Sequence, residues 1–376
     1  MKKILLLMAV VAMFVISCGG KKEAAKSESS NDTIKIGVIA PLTGDLAQYG
    51  TPAKDGFQIK VDEINAAGGI NGKKIELIIQ DNKGDVNETV NIFKKLVGQD
   101  KVALVVGPVI SSTSNAAAPL AQQAKVVMIT PTGTNVDITK GKDFVFRTTF
   151  TDPYQGTAAA RYASKNGIKK VAILTNTSSD YSVGLSEAFR AEASKLGITV
   201  VEEKYTKDDK DFKSILTNIK NAAPDGIFIP DYYNTIGLIA TQAKELGITA
   251  KYLGGDGWDG VQKDFASVTE GAVFASQFAS DDTSPIVQNF IKLYKEKTKS
   301  DANVFAALGY DTGTIVEAAL KSSKELKSEA IRDAMKAVSL ELVTGKLVFD
   351  ADRNPQKAVT FVEVKGGKVV LKEKVQ

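Results

Sequence analysis

A group of hydroxyl residues follows an apolar, strand-like run, and its pattern suits anion binding. Residues 102–106 are all apolar, a Gly-Pro pair ends the run, and Ser111 and Ser112 open a helix predicted over 112–124. A helix N-terminus has unpaired N–H groups and a partial positive charge, which adjacent serine hydroxyls complete as an anion site. A carboxylate there would gain several hydrogen bonds of about 1.5–3 kcal/mol each. Plain N-capping by Ser111 or Ser112 is the structural alternative.

A second hydroxyl-rich loop follows the next predicted strand. Residues 126–129 are apolar, and Thr132, Gly133 and Thr134 come soon after them. In open parallel sheets, ligands bind beyond the carboxyl ends of the strands. Two such loops on neighbouring strands would converge, and this favours a ligand site over two unrelated caps.

A zwitterionic ligand also needs an anionic partner for its ammonium group, and Asp256 is the candidate. It lies between two glycines at the end of a short predicted strand. An acid in such a loop is usually a turn former, but in a cleft it would face the ammonium group. Aromatic residues occupy similar places after strands or at helix starts, although each alone suits a core or surface role. They are Tyr49, Tyr181, Tyr232 and Phe305.

The composition excludes much of catalytic chemistry. The 376 residues include no histidine and one cysteine, which removes the commonest general base, the Ser-His and Cys-His pairs and the usual zinc ligand. Residues 81–85 resemble a calcium loop only superficially, because Lys83 occupies a ligand position. We therefore expect no enzyme activity, no metal and no cofactor. A secreted hydrolase using Ser111 is the weaker alternative.

The N-terminus predicts export. Lys2 and Lys3 precede the apolar run 4–16, which is too short to span a membrane comfortably, and Cys18 follows a small residue as in the lipoprotein box. We expect a signal peptide over 1–17, lipidation of Cys18, and a flexible polar tether over 18–32. An ordinary signal peptide with an incidental cysteine is the alternative. The net charge of +4, half of it from the two lysines, gives no support for a nucleic-acid partner.

From residue 33 onward, strand and helix patterns alternate, which predicts doubly wound parallel sheets in two α/β lobes. In the first lobe we expect strands at 34–40, 75–80, 102–106 and 126–129, with helices at 49–67, 86–98 and 112–124. In the second we expect strands at 171–174, 199–205, 226–229 and 252–255, with helices at 183–196, 212–221 and 236–246.

The remaining segments are too few for a third lobe. They comprise a strand at 273–278, helices at 286–297 and 305–321, and strands at 346–349, 359–364 and 369–373. We expect the chain to return to the first lobe and then to the second, so that three crossings form a hinge beside a cleft. The first lobe would then consist of 33–150 plus 279–350, and the second of 151–278 plus 351–376. The stretch 322–332 indicates an exposed, charged face.

Several segments carry a family resemblance across almost the whole mature chain. The most specific is DEINAAGGING at 62–72, and the others include PLTG at 41–44, AQYG at 47–50, PTGT at 131–134, FRT at 146–148, LGGDG at 253–257 and shorter matches at 107–112, 181–184 and 211–212. In these segments the sequence closely resembles the branched-chain amino-acid binding proteins of ABC importers, which are periplasmic binding proteins of the type I fold.

The resemblance implies a role for each candidate residue. Ser111 matches the family's carboxylate-binding serine, and Thr134 matches the threonine that touches both the carboxylate and the ammonium group. Thr132 stands where the original members carry alanine and would act through its backbone. Asp256 matches the acid that pairs with the ammonium group, although those members use glutamate. The four aromatic residues, Tyr49, Tyr181, Tyr232 and Phe305, match the walls of the ligand pocket.

The implied function is capture of a small amino acid, branched-chain above all, for delivery to the permease subunits of an ABC importer. The expected protein is an extracytoplasmic monomer held to a bacterial membrane through the lipid on Cys18. A ligand-sensing receptor of the same fold is one alternative. Binding of amides, short peptides or other small carboxylates is another, because the shorter acid at position 256 leaves the preferred side chain open.

Overall fold

A computed structural model describes residues 33–375, and two sheets organise them. The first sheet has the order β2-β1-β3-β4-β5, and all its strands run parallel. Its strands are β1 (Thr33–Ala40), β2 (Lys74–Asp81), β3 (Leu104–Val106), β4 (Val127–Thr130) and β5 (Val145–Arg147). The central strands are entirely buried, as expected for a parallel sheet covered on both faces.

The second sheet has the order β14-β13-β10-β9-β8-β6-β7. Its strands are β6 (Lys170–Asn176), β7 (Thr199–Tyr205), β8 (Gly226–Phe228), β9 (Lys251–Gly254), β10 (Val273–Ser276), β13 (Val359–Lys365) and β14 (Lys368–Val375). The last two strands are antiparallel, because Gly366 and Gly367 supply the positive φ angles of a two-residue hairpin turn. The second sheet is therefore mixed at this edge and parallel elsewhere.

Helices cover both faces of each sheet, and a small hairpin completes the fold. The helices are α1 (Ala47–Ala66), α2 (Val86–Gly98), α3 (Ser111–Ala124), α4 (Asp152–Lys165), α5 (Asp180–Lys195), α6 (Lys213–Ala222), α7 (Tyr233–Glu245), α8 (Val261–Asp264), α9 (Ala266–Thr269), α10 (Pro285–Thr298), α11 (Val304–Ser322) and α12 (Ser328–Lys336). The hairpin pairs β11 (Ser339–Leu342) with β12 (Gly345–Val348). Within the described residues no helix combines the length and apolar character that a membrane crossing needs.

The core shows how the chain moves between the sheets. Ile315 of α11, Ile331 of α12 and Leu342 of the hairpin pack with β1, β3 and β4 of the first sheet, although they follow β10 of the second. The chain therefore passes between the sheets three times, and the predicted pair of parallel-sheet lobes is confirmed. We call the parts around the five-stranded and the seven-stranded sheet the first and second lobes. The predicted lobe boundaries stay a prediction.

Glycines set two features of helix α1. Gly69, with a φ of 81°, follows the end of the helix and donates its N–H to the carbonyl of Ile64, as in a Schellman cap. At its middle, α1 lies so close to α11 that a Cβ on Gly56 would come within 2.1 Å of the carbonyl oxygen of Ala306. A Cβ on Gly309 would likewise come within 2.0 Å of the carbonyl oxygen of Ala53.

The third crossing is the segment between β12 and β13, and buried polar groups bind it to the first lobe. Asn354 Oδ1 accepts the Nε–H of Arg147 at 2.6 Å. Lys357 donates to Thr344, whose hydroxyl in turn donates to Asp311 of α11 at 2.6 Å. This segment has little apolar patterning, and these hydrogen bonds hold it against the first lobe.

Three segments differ from the sequence expectations. The helix α4 and the short strand β5 were not predicted. The stretch 322–332, expected as an exposed face, includes the start of α12, where Ile331 is fully buried against the first sheet. Met335, one turn further along α12, is buried in the same core, so two apolar residues anchor this short helix.

Candidate functional site

Ser111 is the first residue of α3, directly beyond the carboxyl end of β3. The N-cap position belongs to Ile110, and no side chain caps the helix, so the capping alternative for Ser111 or Ser112 is wrong. Ser111 is 2% exposed, and its Oγ accepts the backbone N–H groups of Thr134 and Asn135, both at 3.3 Å. These bonds occupy the oxygen lone pairs and leave the hydroxyl proton free to be donated.

The loop after β4 is fixed by threonine hydroxyls. Thr130 Oγ1 donates to the carbonyl of Pro108 at 2.6 Å and accepts the N–H of Gly133 at 2.9 Å. Thr132 Oγ1 donates to the carbonyl of Val109 at 2.6 Å. Because its proton is already used, the hydroxyl of Thr132 offers only an acceptor to the cavity.

Arg147 supports the same loop from its other side. Its Nη1 and Nη2 donate to the carbonyl oxygens of Gly133 and Asn135, each at 2.8 Å. Arg147 is completely buried, and burial lowers its pKa to about 10, although the nearby Asp152 opposes this shift. The Gly133–Thr134 peptide, which donates one of the two N–H groups to Ser111, is therefore held by a cation at its carbonyl oxygen.

Asp256 starts a 3-10 turn after β9, on the second lobe. It is 4% exposed, and Gln155 of α4 contacts it twice: Gln155 Nε2 donates to Asp256 Oδ1, and Gln155 Oε1 accepts the N–H of Asp256, both at 3.2 Å. Burial raises the pKa of Asp256 to about 6, while its hydrogen bonds favour the anion. A buried carboxyl of this kind gains most from a cationic partner.

The four aromatic residues form one continuous wall. The ring of Tyr49 meets Phe305 edge-on at 4.8 Å and Tyr232 at 5.3 Å, between ring centroids. Tyr181 stacks on Tyr232 at 5.2 Å. Burial raises the pKa of the three tyrosines well above the ordinary value, so they stay neutral.

One cavity between the lobes brings all eight predicted residues together. Its lining comprises Tyr49, Val109, Ile110, Ser111, Thr132, Thr134, Tyr181, Tyr232, Asp256, Gly257 and Phe305. The sequence analysis missed the apolar pair Val109 and Ile110, the backbone of Gly257 and the supporting residue Gln155. A helix-start signal at Asp152-Pro153 was available for α4, but nothing local marks Gln155.

The two lobes touch across this cavity. Tyr49 donates its hydroxyl to the carbonyl of Gly257 at 2.8 Å and accepts the N–H of Tyr233 at 2.7 Å. At the start of α11, the N–H of Val304 donates to Asp259 Oδ2 at 3.1 Å. These bonds join residues from opposite lobes and describe a closed arrangement.

Among residues 33–375, no group of three or more histidine, cysteine, aspartate or glutamate side chains has a metal-binding arrangement. The predicted lipidation site, Cys18, the signal peptide and the tether lie outside the described residues.

Comparison with known proteins gives consistent matches. Residues 33–368 match a family described as periplasmic binding protein. A leucine-, isoleucine-, valine-, threonine-, and alanine-binding protein from Pseudomonas aeruginosa is 30% identical over 325 residues, which cover 85% of this chain and 86% of the relative.

Solved structures agree in fold. A branched-chain amino acid transporter substrate binding protein from Streptococcus pneumoniae, in complex with isoleucine, aligns with a TM-score of 0.84 and 38% identity, covering 90% of this chain and 99% of that one. A solute binding protein of an ABC transporter from Rhodopseudomonas palustris, in complex with 3,4-dihydroxybenzoic acid, has a TM-score of 0.84 and 28% identity, covering 92% and 98%.

Proposed function

Because this chain belongs to the periplasmic binding protein family, we propose that it is an extracytoplasmic solute-binding protein that captures a branched-chain amino acid for an ABC importer. The observation that carries this proposal is the composition of the cavity. Hydroxyl and N–H donors lie on one side and a buried carboxyl group on the other. These two sides match the two charged ends of a zwitterion.

The carboxylate of the ligand binds at the start of α3 in this proposal. The hydroxyl of Ser111 is the donor, since its lone pairs already accept two backbone N–H groups. The partial positive charge of the helix N-terminus stabilises the bound carboxylate by a further amount of about 0.3–1 kcal/mol. Thr134, on the adjacent loop, completes this end.

The ammonium group binds to Asp256, and Thr132 offers it an acceptor. The apolar side chain of the ligand lies against Tyr49, Tyr181, Tyr232 and Phe305. The relative in complex with 3,4-dihydroxybenzoic acid raises aromatic acids as a second ligand class. Asp256 argues against that class, because a buried carboxylate without a cationic partner costs free energy.

Closure of two lobes around the ligand is part of the same proposal. We assign 33–150 plus 279–350 to the first lobe and 151–278 plus 351–376 to the second. A ligand that contacts both lobes favours the closed state by the difference in its affinity for the two states. The bonds from Tyr49 to the second lobe support this assignment.

Delivery to permease subunits, monomeric state and attachment through a lipid on Cys18 complete the proposal. A receptor that senses the same ligand is the alternative downstream role. Co-purification with a permease and ATPase, against co-purification with a signalling protein, distinguishes the two.

Calorimetry of the purified chain with L-leucine, L-isoleucine, L-valine and 3,4-dihydroxybenzoate tests the ligand class. We expect the amino acids to bind with micromolar affinity, about −8 kcal/mol, and the aromatic acid not to bind. Binding of the aromatic acid alone would overturn the proposal, as would turnover of an amide or ester in a hydrolase assay.

A further inference from the structure

Behind the cavity, one amide joins two buried carboxyl groups. Gln155 Nε2 donates to Asp152 Oδ1 and to Asp256 Oδ1, each at 3.2 Å. Asp152 is 1% exposed, and it does not line the cavity, whereas Asp256 does. The two acids therefore share one hydrogen-bonding partner, and only one of them can reach a ligand.

The second oxygen of Asp152 is unusual for a buried carboxyl group. Within residues 33–375, Asp152 Oδ2 has no partner at normal hydrogen-bond geometry, although the hydroxyl of Thr134 lies near the carboxyl group and partly favours its anion. Arg147 is the nearby cation, but its N–H groups donate to the carbonyl oxygens of Gly133 and Asn135 and to Asn354. A buried carboxylate with an unpaired oxygen is costly, and taking up a proton relieves that cost.

The surrounding groups do not supply a second cation. Helix α5 contributes Asp180, which accepts from Asn115, and neutral Tyr181. The segment before α7 contributes Asp231, which accepts from Tyr205 and Asn176, and neutral Tyr232. Strand β10, which packs against α4, carries no ionisable side chain. The start of α4 favours an anionic Asp152, which offsets burial only in part.

We propose that Asp152 and Asp256, bridged by Gln155, titrate as one coupled pair that retains one proton in the ligand-free chain, and that the ammonium group of the ligand displaces this proton. Burial, with repulsion between the two acids, raises the pKa of Asp152 to about 8, in keeping with this arrangement. The ligand enters as a zwitterion, and the proton leaves to solvent. The inference rests on the proposed function, since it requires a ligand with an amino group.

In the bound state both Asp152 and Asp256 are ionised. Their two negative charges face two cations, the ammonium group of the ligand and Arg147. The bound state holds fewer protons than the free state, so ligand affinity rises as pH rises. The increase approaches about tenfold per pH unit between about pH 6 and 8, and it levels off above that range where the free pair has lost its proton. In this scheme Asp152 does not touch the ligand. It is a positioning residue that affects binding only through Gln155 and Asp256.

Calorimetry with L-leucine at pH 7 in phosphate and in Tris, two buffers with different enthalpies of ionisation, counts the protons released. For the unsubstituted chain we expect a release that approaches one proton per ligand. The Asp152→Asn variant should release close to none, because Asp256 alone is then ionised at this pH. The Asp231→Asn variant removes another buried acid near the cavity and should leave the count unchanged.

The outcomes separate the two proposals. Leucine binding with equal enthalpies in both buffers overturns the proton displacement and leaves the proposed function intact. Failure of leucine, isoleucine and valine to bind overturns the proposed function itself. If Asp152→Asn does not fold, as judged by circular dichroism, the proton count and pH slope of the unsubstituted chain still decide.

Discussion

The hydroxyl group of Tyr49, in the first lobe, donates a 2.8 Å hydrogen bond to the carbonyl oxygen of Gly257, in the second. The hydroxyl oxygen of Tyr49 also accepts the N–H of Tyr233, again from the second lobe, at 2.7 Å. One side chain therefore forms part of the aromatic wall and also holds the lobes together.

We predict that Tyr49→Phe keeps the ring packing but weakens ligand binding about 5- to 150-fold, because two interlobe hydrogen bonds of about 0.5–1.5 kcal/mol each are lost. Calorimetry with leucine measures the change. Tyr154→Phe, at an exposed position on the second lobe, is the matched control and should bind as the unsubstituted chain does. Equal affinities of the two variants would contradict a role for Tyr49 in closure.

Removal of the Ser111 hydroxyl should weaken binding by more than about 1 kcal/mol, because a ligand carboxylate loses its donor and two backbone N–H groups lose their acceptor. Ser111→Ala is compared with Ser194→Ala, an exposed serine on α5, by calorimetry. The site assignment fails if Ser111→Ala and Asp256→Ala both bind leucine normally.

Lys357 predicts a pH dependence of stability. Burial lowers its pKa from 10.5 to about 8, despite the nearby Asp311. Between pH 8 and 10.5 the unfolded state binds a proton that the folded state has released, so this residue makes unfolding less favourable as pH rises. We expect about 1–2 kcal/mol more stabilisation from pH 8 to 10 in the unsubstituted chain than in Lys357→Met. Denaturant titrations of both proteins at several pH values measure this difference. Identical dependence of stability on pH in the two proteins would mean that the pKa of Lys357 is not lowered in the folded state.

The contact between α1 and α11 predicts a sharp difference between two glycines. Gly309→Ala places a Cβ within 2.0 Å of the carbonyl oxygen of Ala53 and should cost more than about 2 kcal/mol of stability. Gly98→Ala, near the end of α2, has open space around its Cβ and should be neutral or stabilising by up to about 1 kcal/mol. Thermal unfolding of both variants measures the difference.

We predict that Cys18 carries the lipid that attaches this chain to a membrane. In a bacterial host, the unsubstituted chain should fractionate with membranes and carry a lipid on Cys18 that mass spectrometry detects. Cys18→Ser should be released in soluble form, because the only cysteine of the chain is then absent. Membrane attachment that survives this change would refute the lipid anchor.

Much of the fold follows from local pattern, because buried parallel strands are continuous apolar runs that alternate with amphipathic helices. Thus the strand predicted at 34–40 corresponds to Thr33–Ala40. The strand Val145–Arg147 was missed because three residues carry too little pattern. Helix α4 was missed because alanines and polar residues obscure its periodicity.

The eight cavity residues could be named from motifs because their loops follow strand ends and helix starts. Their support could not be predicted in this way. Gln155 reaches Asp256 from a position 101 residues away in the chain, and Asn354 reaches Arg147 across 207 residues. Such pairs depend on how the lobes and crossings assemble, which local sequence does not encode.

The glycine contact between α1 and α11 has a mechanical consequence. With backbone against backbone at Gly56 and Gly309, neither helix has room to slide or roll past the other. We therefore expect the two helices to move as one rigid pair, about 30 Å long at 1.5 Å per residue. Tyr49 near the start of α1 and Val304 at the start of α11 both contact the second lobe, so the interlobe hydrogen bonds join the same end of this tightly packed pair of helices.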